Sequence, residues 1–150
     1  MFSEAFENWQ RAYHQFCDSV SQIPSEFQKT PGICGEQSAK EVIAQLSGWQ
    51  REALRRYHDF QNGDTSNKTY NADKFNADSI SALNLLNWRE VFETFQFTCE
   101  DLENTIQQLS SEQREHDPRY ADWLVGITDD LEMHTMQIKS WLLARKDNYA

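Results

Sequence analysis

Phe2, Phe6, Trp9, Tyr13, Phe16, Val20 and Ile23 follow one another at alternating steps of four and three, which keeps them on one helical face. Ser3 reads as the N-cap of this first helix, and Pro24, Pro31 and Gly32 end it in a loop. "SAKE" opens a second helix with a capping box between Ser38 and Glu41. Val42, Leu46, Trp49, Ala53, Tyr57 and Phe60 form its apolar face, and "NGD" at 62–64 stops it. Trp88, Phe92, Phe95, Cys99, Leu102, Ile106 and Leu109 mark a third helix, expected to start near Asp78 or Ser79. A fourth begins after "HDP", capped by Asp117 with Pro118 in its first turn, and buries Tyr120, Ile127, Leu131, His134, Ile138 and Trp141.

Residues 62–77 carry two isolated aromatics, Tyr70 and Phe75, in an otherwise polar run, and are expected to be one long irregular connection. The pattern holds no strand signal, so the expected fold is all-α: one four-helix bundle domain over residues 1–150. Short connections make helices 1 and 2, and helices 3 and 4, antiparallel. The long connection between helices 2 and 3 lets that pair run in the same direction.

Composition changes this picture little. Hydrophobic residues make up 39% and aromatics 13%, enough for a continuous core at this length. A formal net charge of −10 repels polyphosphates and argues against nucleic acid as a partner. No apolar run approaches the roughly 20 residues of a membrane span. "MFSEAFENWQ" lacks the blocks of a signal peptide, and three cysteines at no metal-ligand spacing fit a reduced, cytoplasmic protein. Cys17 and Cys99 fall on buried faces, whereas Cys34 in "PGICGE" is expected to be exposed. The stripe Trp9, Tyr13, Phe16, Phe92 and Phe95 reads as core. Arg56, within "REALRR", points partly inward, where it could hold an anion.

The candidate chemistry sits in "TDDLEMHTMQI" at 128–138. At about 100° per residue, His134 falls in the middle of the apolar face and Asp130 about 40° to one side. Gln45 lies on the flank of helix 2, one turn before Trp49, and Gln137 near an inner edge of helix 4. One imidazole, one carboxylate and one amide form a weak donor set for a first-row metal. The other reading is a core histidine bonded to Asp130 or to a backbone carbonyl.

"SAKEVIAQLSGWQREAL" resembles the second-helix signature of the DinB-like superfamily, "KFNAD" the element before its third helix, and "DDLEMHTMQI" its fourth-helix HxxxHxxQI pattern. The similarity spans about residues 37–142, and the ClbS/DfsB-type branch of small bacterial four-helix proteins is the nearest. The resemblance implies a four-helix bundle with a long connection between helices 2 and 3, and a habit of forming homodimers. It also implies a divalent ion, zinc or nickel, on three histidines in those members that bind metal. The matching positions are Gln45, Asp130 and His134, of which only the last keeps its imidazole, so the expected cofactor is none. Two functions follow. The first is a protein that binds or detoxifies a small electrophilic molecule in an inter-helix pocket. There His134 serves as base or ligand and Asp130 as its partner, with Trp49, Arg56, Tyr70 and Phe75 lining the pocket. The second is a non-catalytic ligand-binding or dimeric interaction module with a degraded metal site.

Overall fold

A computed structural model describes residues 1–148; residues 149 and 150 of the single expected domain lie outside the described residues. The architecture is all-α. Four long helices, α1 (Phe2–Ser21), α2 (Ala39–Gln61), α4 (Trp88–Gln108) and α6 (Pro118–Asn148), are joined by shorter ones, α3 (Ala72–Ala82) and α5 (Ser111–His116). Among the described residues there is no strand, only an isolated bridge between Cys34 and Gln37. No helix among them is long and apolar enough to cross a membrane.

The long helices enclose one core in which Trp9, Phe16, Leu46, Tyr57, Phe95, Leu102, Leu124 and Leu131 are fully buried. Cross-helix contacts fix their directions. α1 and α2 are antiparallel, since Trp9 Nε1 donates to Gln50 Oε1 at 3.0 Å and the Lys40 amide at the start of α2 donates to the Gln28 carbonyl beyond α1. α1 is also antiparallel to α4, with Gln10 bonded to Glu103 and Phe16 edge-on to Phe95 at 5.4 Å. α2 and α6 are antiparallel as well, because Gln45 meets His134 near one end and Tyr57 donates to the Tyr120 carbonyl at 2.6 Å near the other. α2 and α4 run the same way: Lys40 reaches the Asn84 carbonyl just ahead of α4, and Ala44 and Val91 share one crevice.

Between α2 and α4 the chain departs from the expected loop. Irregular backbone covers only 62–71, after which α3 forms, capped by the Asn71 side chain on the Lys74 amide. Asp78 and Ser79, expected to start the third helix, lie inside α3. The true start of α4 is Asn87, which makes a reciprocal capping box with Glu90. α3 was hidden by its weak amphipathicity: it buries no residue fully and packs mainly on α2 through Phe75 and Ser79, while Ile80 and the following Leu83 reach a crevice shared with Val91 of α4. Its close approach requires Gly48, where an added Cβ would come within 2.8 Å of Ser79 Cβ.

Two further expectations are corrected. Ser3 is not the N-cap; Met1 takes that place without a side-chain bond, because Phe2 is drawn into the helix and buried beneath the Arg114 guanidinium. Cys34 is not exposed. Gly32 and Gly35, both at positive φ, turn the loop inward, and Cys34 is buried with its backbone paired to Gln37. The expected Asp117 cap and Pro118 first turn stand as read, the Asp117 carboxylate accepting from the Arg119 amide at 3.0 Å.

The 62–71 segment is pinned by charge. The Arg56 guanidinium, 3% exposed, donates to Asp59 at 3.0 Å, Asp64 at 3.3 Å and the Ser66 carbonyl at 2.9 Å. Three of its five N–H groups meet these acceptors, so Arg56, whose inward direction suggested an anion holder, serves as a strut for the connection. Arg119 adds a bond to the Asp64 carbonyl and lies over the Phe60 ring.

Two outcomes follow from this packing. In Gly48→Ala, the gain in helix propensity of about 1 kcal/mol is outweighed by overpacking of about 1–3 kcal/mol. Chemical denaturation should show a net loss, and adding Ser79→Gly should restore stability if the contact is the cause. Arg56→Met should cost about 1–3 kcal/mol, less than a fully buried pair because its carboxylate partners are a third exposed and regain water. Limited proteolysis of that variant should cut within 62–71 faster than in the parent chain.

Candidate functional site

The apolar face of α6 brings His134 into the interior at 4% exposure, facing α2. Its two ring nitrogens meet side-chain amides. Nδ1 lies 2.8 Å from Gln137 Oε1, and Nε2 lies 3.4 Å from Gln45 Nε2, whose Oε1 accepts from Gln37 Nε2 at 2.8 Å. An amide oxygen only accepts and an amide nitrogen only donates, so this placement matches the imidazole tautomer that donates from Nδ1 and accepts at Nε2. Gln37, Gln45, His134 and Gln137 thus form a chain of donors and acceptors of one sense.

Asp130, one turn earlier, places Oδ1 3.7 Å from His134 Nε2 with 27% of its side chain exposed. Burial pushes its carboxyl above the usual aspartate range, and the nearby His134 only partly offsets this. Asp130 forms part of the wall of a cleft of about 460 Å³ between α2, α6 and the 62–71 segment. The other walls include Trp49, Tyr70 and Trp123, with Lys68, Asp122 and Gly126 at the edges. His134 does not line the cleft; it stands behind Asp130.

Two of these rings are held from outside. Trp49 Nε1 donates to Asn76 Oδ1 at 2.7 Å, and its indole stacks on Phe75 at 4.0 Å. The Tyr70 hydroxyl donates to the buried Glu52 carboxylate, which also accepts from Arg55. Burial opposes ionisation of Glu52, but the bonds from Arg55 and Tyr70 hold it below the usual glutamate range; burial and the Glu52 carboxylate beside it raise the Tyr70 phenol above its ordinary value. Tyr70 stands nearly perpendicular to Trp123 (89°, 5.8 Å) and steeply inclined to Trp49 (68°, 5.4 Å).

Of the expected pocket residues, Trp49 and Tyr70 line the cleft. Phe75 lies behind Trp49 and faces a separate groove between α2 and α3. Arg56 lines an adjoining recess of about 280 Å³ that shares Lys68, Tyr70, Asp122 and Trp123 with the cleft. Gln45, Asp130 and His134 do converge. Sequence reasoning missed Trp123, Glu52 and Asn76. Trp123 sits three residues after Tyr120 and four before Ile127, a flank position that the apolar repeat already marked. Glu52 interrupts a helix face otherwise apolar at Trp49 and Ala53, which is the signal of a buried acid with a dedicated partner.

The trio does not fit a metal. Gln45 turns its amide nitrogen, a donor, toward His134, and its oxygen is held by Gln37. Among the described residues no three His, Cys, Asp or Glu side chains are grouped to hold an ion. One imidazole and one carboxylate remain, one donor short of a zinc site with three protein ligands. Thiol chemistry fits no better: burial pushes Cys17 and Cys34 up to about 11 and Cys99 further, and none of them lines the cleft.

No known protein family matches the chain, and no curated protein matches it in sequence. In fold it is similar to the crystal structure of an uncharacterised protein from Escherichia coli UTI89, with a TM-score of 0.83 and 14% identity. That match covers 99% of this chain and 95% of the other, a likeness of fold alone.

Proposed function

We propose that the chain is a DinB-like four-helix bundle that binds a small molecule between its helices. In this reading α1, α2, α4 and α6 are the bundle helices, and residues 62–87, carrying α3, are the long connection. The observation that supports the function is the cleft beside Asp130: three aromatic rings, two of them restrained by hydrogen bonds, room for a small organic molecule, and one carboxylate of raised basicity. The roles within the pair are reversed relative to the sequence expectation. Asp130 reaches the cleft and is the group that touches a ligand, while His134, with both nitrogens engaged by amides, is the positioning residue behind it. Asp130 is suited to take a proton from a ligand or from a water attacking a bound electrophile. The engaged imidazole supports binding as the primary role.

Ligand-observed NMR with a library of small fragments tests this reading. Hits should be lost in Trp123→Ala and kept in Phe97→Ala, a change on an exposed face of α4. Hits that survive Trp123→Ala, or a library without hits, would remove the cleft as a binding site.

A second outcome concerns Asp130 itself. An unfolded aspartate titrates near about 3.9, and the folded one above that value. The folded state therefore holds the proton longer, and the ionised carboxylate costs stability as pH rises from the unfolded value through the folded one. Asp130→Asn should be more stable than the parent at neutral pH, and the difference should vanish below about pH 4. Denaturation at both pH values checks this. A variant less stable at neutral pH would show instead that Asp130 is ion-paired with a charged His134.

A further inference from the structure

The chemistry of the cleft walls says what kind of molecule enters. The polar handles of two rings point away: Trp49 Nε1 is spent on Asn76 and the Tyr70 hydroxyl on Glu52. These rings offer the cleft π-surface and no hydrogen-bond donor. Tyr70 meets Trp123 and Trp49 at steep angles, so the three ring planes form a corner rather than a flat stack. Aromatic faces carry negative electrostatic potential, and donating to a carboxylate pushes further electron density into the Tyr70 ring. Two acids, Asp122 and Asp130, and one cation, Lys68, share the lining. The nearest other cations are engaged, Arg56 with Asp59, Asp64 and Ser66, and Arg119 with Asp117 and the Asp64 carbonyl.

From this arrangement we infer that the cleft recognises an organic cation, an alkylated ammonium group seated in the corner of Trp49, Tyr70 and Trp123 with Asp130 and Asp122 as its counter-charges. The inference rests on the binding reading above and names the ligand class. An anionic ligand would meet two carboxylates, three electron-rich rings and one lysine on an exposed stretch of chain. A neutral apolar ligand would leave Asp130 to lose water without compensation. An alkylammonium group satisfies the rings through cation–π contact and the acids through charge. The cleft volume of about 460 Å³ leaves room for the remainder of a small molecule beyond the ammonium head.

Choline and tetramethylammonium, titrated into the full chain by calorimetry and ligand-observed NMR, test it against the uncharged tert-butyl isostere of choline. Choline should bind about tenfold or more tightly than the isostere. Trp123→Leu should abolish binding of all three. Asp122→Asn, at an exposed position that folding does not need, should weaken choline several-fold and leave the isostere unchanged. If the isostere binds as well as choline, the cation inference fails while the cleft stands as a small-molecule site. If neither cation binds at tens of millimolar, the inference is overturned, and the fragment screen decides the cleft by itself.

Discussion

Two ionised side chains four residues apart on α2 hold this structure's working surface in place. Glu52 and Arg56 lie one helical turn apart, so both face the segment that follows α2. Glu52 takes the Tyr70 hydroxyl, and Arg56 takes Asp64 and the Ser66 carbonyl. Water would compete for these partners if the segment swung free. It stays because the charges are mostly buried, at 7% and 3% side-chain exposure, and each would lose its compensation. With the segment fixed, Tyr70 stands between the two tryptophans. Without it, α2 and α6 would present Trp49 and Trp123 to solvent and the cleft would lose one wall.

Behind that wall, the polar interior is arranged around side-chain amides. A buried imidazole needs two partners of opposite kind, and Gln45 and Gln137 supply one donor and one acceptor. Asp130 stands 3.7 Å from the same imidazole, and burial rather than that neighbour dominates its protonation. Three histidines on a cation would need each imidazole to keep a free lone pair. Here Gln45 turns an amide nitrogen toward Nε2, so that lone pair is not presented to an ion.

Much of the fold was legible because it rests on local rules. The step pattern marked the buried faces of α1, α2, α4 and α6, and Ser38–Glu41 and Asp117–Pro118 marked two helix starts. α3 was not legible, because its apolar content is slight and its placement depends on a glycine on another helix. The Asn87–Glu90 box was visible in "NWRE" but was absorbed into an overlong third helix. At the site, periodicity identified His134, Asp130 and Gln45 as neighbours. It could not show that the imidazole is turned from the cleft, or that Arg56 is consumed by its own loop. Those outcomes depend on where residues 62–71 travel, which spacing within a helix does not encode.

The slender attachment of α3 bears on the cleft. It rests mainly against α2, buries none of its side chains fully, and carries both Phe75 and Asn76, the props behind the Trp49 indole. Little free energy is at stake in its detachment, so it belongs to the low end of the local-opening scale. Were it to detach, Trp49 would lose its prop while the core between the long helices kept its own contacts. The set of the Trp49 ring, one wall of the cleft, thus depends on a short outrigger as well as on the frame of long helices.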